Sequence, residues 1–186
     1  MNASFVIGQP DFTSTALSTT QSGFSFPVNV YYESDTERLF VSDYNNYRLM
    51  VFDLSAGITN GMDAAFVLGQ PDFVTAVGGA GSDKFGVTPA IAIDSARDLL
   101  FLVDQYQNRV MVFDISAGIT NGMSASNIIG QSDFITLDPA TTMNGLNQPG
   151  AVTYDESTKW LFVTDQLNRR VLIYDLASGV IDGMNA

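Results

Sequence analysis

Apolar residues in this chain fall in short runs of strand length cut by turn-forming residues, and no helix-length stretch keeps a 3.6-residue apolar period. The first set reads Val28 to Tyr32, a polar turn Glu33-Ser34-Asp35-Thr36-Glu37, Leu39-Phe40-Val41-Ser42-Asp43, and then Arg48-Leu49-Met50-Val51-Phe52. A longer connection, Leu54 to Gly61, carries an Asn-Gly turn signal and leads into Ala65-Phe66-Val67-Leu68, which Gly69 ends. Each unit is thus predicted to hold four short strands.

The unit recurs at a fixed step of 61 residues. Gly8-Gln9-Pro10-Asp11-Phe12 returns as Gly69-Gln70-Pro71-Asp72-Phe73 and as Gly130-Gln131-Ser132-Asp133-Phe134. Leu39 to Asp43 returns as Leu100 to Asp104 and Leu161 to Asp165, with Arg48, Arg109 and Arg170 each five places beyond the Asp. Met1-Asn2-Ala3 matches Met184-Asn185-Ala186, so repeats of approximately 1–61, 62–122 and 123–186 make one repeat domain. Terminal repeats usually carry an atypical polar face, and so clean a cut suggests a piece excised from a longer array or built deliberately. Four short antiparallel strands with glycine and aromatic punctuation predict an all-β β-propeller, each repeat a blade packed face to face on the next.

The order Pro, acidic turn, Leu-Phe-Val-x-Asp, Asn-x-Arg or Asn-Arg, then Phe/Tyr-Asp resembles the NHL-repeat family. It is clearest in Leu100 to Asp114, with Asp104, Asn108 and Arg109, and in Leu161 to Asp175, with Asp165, Asn168 and Arg170. The first repeat departs by placing Tyr47 where Asn108 stands, and the period is longer than that family's, the surplus lying after Gly-Gln-Pro-Asp-Phe and in Ser-Ala-Gly-Ile-Thr-Asn-Gly. The resemblance implies a six-bladed ring of a kind used to bind protein, RNA or ligands and sometimes for catalysis.

Three blades are too few for a ring whose usual range is about four to eight. Ser4-Phe5-Val6-Ile7-Gly8 reads as a fourth strand without the first three, while the third repeat ends without its fourth. The expectation is a homodimer joined head to tail into one six-bladed ring, residues 4–8 of each copy completing the third blade of the other and pairing both free edges. The rival is an open fragment that aggregates or joins a larger assembly.

Composition narrows the chemistry. There is no Cys and no His, which removes disulfides, thiolates, the commonest general base and the commonest transition-metal ligand. A net charge of −12 repels phosphate backbones and anionic membranes, which argues against nucleic acid and membrane partners. No apolar run approaches the ~20 residues of a membrane span and no charged leader opens the chain, so it reads as soluble, of unknown compartment.

The candidate site residues are the Asp/Arg set Asp43, Arg48, Asp104, Arg109, Asp165 and Arg170. Either they ring a polar substrate or each pair fixes a blade corner, and their presence in every blade favours the corner, since catalysis normally needs one asymmetric constellation. Asp11, Asp72 and Asp133 are read as caps for backbone amides, with weak Ca²⁺ ligation as the lesser alternative. Gly78-Gly79-Ala80-Gly81 lacks the Lys-Ser or Lys-Thr of a phosphate loop, no triad is possible without His, and the spacing of the acids brings no glycosidase pair together. No enzyme activity, cofactor or metal is expected. The function read from sequence is a self-assembling scaffold; the alternative is a module binding a peptide, glycan or cation on the long-loop face, at 13–25, 74–88 and 135–148.

Overall fold

The computed structural model describes residues 1–186 as three antiparallel sheets laid face to face. The first contains β1 (Pro27–Glu33), β2 (Arg38–Asp43), β3 (Arg48–Asp53) and β4 (Phe66–Leu68), in that order. The second contains β5 (Ile91–Asp94), β6 (Leu99–Asp104), β7 (Arg109–Asp114) and β8 (Asn127–Ile129); the third has β9 (Pro149–Asp155), β10 (Trp160–Asp165) and β11 (Arg170–Asp175) and no fourth strand. Register repeats with the sequence: Asp43 opposes Arg48, Asp104 opposes Arg109, and Asp165 opposes Arg170.

Local chemistry sets each corner. Between β2 and β3 a single 3₁₀ turn, Tyr44–Asn46, closes on Tyr47 in the left-handed region, and Gln105–Gln107 does the same on Asn108. Arg169 takes the equivalent position, with φ of 57° against 52° for Tyr47 and 54° for Asn108. Asn tolerates this conformation best, whereas Tyr and Arg are held there by the turn.

Side chains alternate across each strand, so every sheet offers one apolar face to the sheet before it and one to the sheet after it. Phe40, Leu49, Val51 and Leu68 of the first sheet meet Ile91, Ile93, Leu100, Leu102, Met111 and Phe113 of the second. One step on, Phe101, Val103, Val110, Val112 and Ile129 meet Leu161, Val163 and Tyr174. Removing each such side chain from water contributes about 1.5–3 kcal/mol, which makes these two seams the core of the molecule. A smaller cluster of Phe24, Val41, Met50, Phe52 and Val67, with Ile7 beside it, lies on the far face of the first sheet. β1 lies against β5 and β5 against β9, so the first strands form the inner side of the stack.

Residues 4–8 belong to no sheet within the single chain: Gly8 makes one isolated parallel bridge to Gly23, and Val6 bonds to Asn60 and Gly61. A strand is defined by its neighbour, and within one chain this segment has no third strand beside it.

Candidate functional site

At the first corner Asp43 Oδ1 accepts from the Ser25 amide at 2.6 Å, and its Oδ2 accepts from Arg48 Nε at 2.8 Å and Asn46 Nδ2 at 2.7 Å. Arg48 then reaches forward: Nη1 donates to the Phe73 carbonyl at 2.6 Å, and Nη2 to the carbonyls of Gly23 and Thr20. The second corner matches, with Arg109 Nε donating to Asp104 at 2.8 Å and Nη1 to the Phe134 carbonyl at 2.8 Å. Both pairs are fully buried, so each guanidinium gives a carboxylate and several backbone carbonyls the charge-assisted partners that burial demands. At the third corner Arg170 holds Asp165 at 2.7 Å, but its Nη1 turns back to Thr141 and the side chain stays 29% exposed.

The middle corner lacks one donor. Gln107 stands where Asn46 and Asn168 stand; those two donate to their Asp, whereas the longer Gln107 sends Nε2 to the Gly79 carbonyl and encloses an unpartnered Oε1. Burial pushes Asp104 from the ordinary 3.8 up to about 6, against the pull of Arg109 and of the Gly86 amide.

The Gly-Gln-x-Asp-Phe segments are built for close approach. Gly69 and Gly130 have φ of 84° and 95° and sit on Phe85 and Leu146, where a Cβ would collide. Asp11, Asp72 and Asp133 each accept from the amides two and three residues on; the Thr13 and Thr75 side chains first and these amides next hold Asp11, at about 2, and Asp72 low, while the Thr136 amide leads at Asp133. Nowhere do three acidic side chains converge. Gln70 Nε2 donates to the carbonyl of Tyr47, and Gln131 Nε2 to that of Asn108. Gln9 donates only within its own loop, to Ala16.

One device went unread in the sequence. Asn121 Oδ1 accepts from the Val67 amide at 3.0 Å while the Gly122 amide donates to the Val67 carbonyl, so the Asn-Gly pair clamps the fourth strand of the preceding blade. Asp182 and Gly183 clamp Ile128 in the same way, and Asn60 and Gly61 clamp Val6. Ser4, Phe5, Val6, Ile7 and Gly8 are therefore held where a fourth strand stands in the other repeats. The three matching positions of Asn-Gly or Asp-Gly were the available signal. On the loop face an open hollow of about 530 Å³ lies between Tyr47, Val77, Gly79, Gly86 and Gln107.

No family model matches the chain. It is 23% identical over 173 residues to NHL repeat-containing protein 2 of Gallus gallus, a match covering 87% of this chain and 22% of that protein's length. In fold it is similar to a chain of Kuenenia stuttgartiensis hydrazine synthase, with a TM-score of 0.56 at 10% identity over 94% of this chain and 38% of that one. It is also similar to a chain of the nidogen/laminin complex, with a TM-score of 0.51 at 17% identity over 86% of this chain and 47% of that one. No helix is long and apolar enough to cross a membrane. Repeat sequence and fold agree: the chain is an all-β, NHL-like run of β-propeller blades.

Proposed function

We propose that this chain is a non-catalytic propeller scaffold that pairs head to tail with a second copy to close a six-bladed ring. The supporting observation is the match between its two open faces. Val30 and Tyr32 stand 65% and 52% exposed on the first sheet, at the positions that Ile91 and Ile93 occupy in the buried seam of the second. Val171 and Ile173 stand 57% and 45% exposed on the third sheet, where Val110 and Val112 of the second are sealed. Each end offers what the other end needs, and exposed apolar area of this kind marks an interaction surface. Pairing both ends of two chains makes two new seams of the type already formed within one chain. An Asp/Arg ion pair recurs at all three corners and its groups are taken up in structural bonds, which supports a scaffold role over catalysis.

In this pairing Val6 of one copy would oppose Leu172 of the other, by analogy with Val67 opposite Met50 and Ile128 opposite Met111. The chain has no native cysteine, so Val6→Cys with Leu172→Cys is a clean reporter. Mild oxidation is expected to give a covalent two-chain product on a non-reducing gel. A chain that stays single under oxidation sinks the pairing.

A further inference from the structure

The Gly-Gln-x-Asp-Phe segment occurs three times, and two copies are docked on the blade before them. Arg48 Nη1 donates to the Phe73 carbonyl and Gln70 Nε2 to the Tyr47 carbonyl; Arg109 Nη1 donates to the Phe134 carbonyl and Gln131 Nε2 to the Asn108 carbonyl. Each latch is therefore reciprocal: the arginine of a blade reaches forward to the segment, and the glutamine of the segment reaches back to the left-handed residue just before that arginine.

The third segment, Gly8 to Phe12, has no blade before it. Gln9 keeps only its local bond to Ala16, and Phe12 is 56% exposed, while Phe73 and Phe134 pack against the apolar clusters of the first and second sheets. At the other end Arg170 is the one member of its set left partly exposed, with Nη1 on the nearby Thr141 carbonyl, and Arg169 repeats the left-handed backbone of Tyr47 and Asn108. Arg170 Nη1 thus takes a local carbonyl in place of a forward one, its Nη2 staying on Thr142 and Gly145, while Phe12 stands at the repeat position of Phe73 and Phe134.

We infer that, in the paired ring proposed above, Gly8 to Phe12 of one copy forms the latch of the seam, with Arg170 donating to the Phe12 carbonyl and Gln9 donating to the Arg169 carbonyl of the other copy. The inference rests on that pairing. It extends the contact beyond residues 4–8 and makes Arg170 a positioning residue for association. Lysine at position 170 keeps the positive charge beside Asp165 but loses the planar fork that serves carboxylate and carbonyl together.

The test is the two-chain dissociation constant of the full chain by sedimentation equilibrium, for wild type, Arg170→Lys and Gln9→Leu. Arg109→Lys, whose latch lies wholly within one chain, is the control. Arg170→Lys and Gln9→Leu are each expected to weaken association at least about tenfold, the size of one hydrogen bond at each of two seams, while Arg109→Lys acts on the fold and leaves the constant within about twofold. Gln9→Leu carries the test alone if Arg170→Lys does not fold. Wild-type affinity in both seam variants overturns the latch and leaves the pairing standing. A wild-type chain that remains single at every concentration overturns the pairing, and the latch with it.

Discussion

The seam between the second and third sheets and the open face of the third are built from equivalent residues, yet one is sealed and the other is wet. Phe101 is fully buried against the third sheet, and Phe162, one repeat on, has no sheet opposite it and is only half-buried. Val112 and Ile173 repeat the contrast. The residue types are alike, so burial here is decided by neighbours and not by composition. A blade's stability belongs to its two interfaces more than to its own four strands, which is the nearest-neighbour logic of repeat proteins.

The largest expected effect comes from breaking a sealed seam. Phe101→Ala is expected to cost about 3–5 kcal/mol in denaturant unfolding, independent of protein concentration. Phe162→Ala is expected to act chiefly on association, so its unfolding midpoint depends on concentration. Equal, concentration-independent losses at both positions erase the distinction between seam and open face.

The clamps sharpen the comparison at smaller scale. Asn121→Ala leaves the part-buried Val67 amide without an acceptor and is expected to cost about 1–3 kcal/mol. Asn60→Ala frees the exposed Val6 amide to water and is expected to change stability by less than about 0.5 kcal/mol in the single chain, read by thermal unfolding at low concentration.

Two effects of about 1 kcal/mol follow from unpaired groups. Gln107→Asn restores the donor that the other two corners have, and hydrogen bonds to a charged group are worth about that or more. It also bears on pH. Because burial raises Asp104 in the folded state to about 6 from 3.8, the folded chain binds more protons than the unfolded one between those values, and stability falls as pH rises from about 4 to about 6. Gln107→Asn is expected to flatten that decline in urea titrations across the same window. The second is also a gain: Tyr174 buries a hydroxyl with no partner where Phe52 and Phe113 stand in the other repeats, so Tyr174→Phe is expected to stabilise by up to about 1 kcal/mol in thermal melts.

Much of this was legible in the chain itself, because repetition turns weak local signals into strong ones. The eleven strands, their order and the Asp/Arg spacing follow from strand-length apolar runs returning every 61 residues. The partners of Arg48 and Arg109 beyond their aspartates did not, since a backbone carbonyl 25 residues away carries no side-chain signature. Asn60 read as a turn residue because its turn geometry is local and its clamp is not; Asn121 and Asp182 repeat that clamp one and two steps on. Residues 4–8 have the composition of a strand, but strand state needs a partner, and within one chain they hold only the clamp.

The central claim, that the open faces are seams awaiting a second copy, is met most directly by the absolute mass in solution. Size-exclusion chromatography with light scattering on the intact chain, and on a version lacking residues 1–8, gives that mass. The account predicts a discrete two-chain species for the intact protein, lost or weakened by the deletion. A stable single chain in both cases contradicts it.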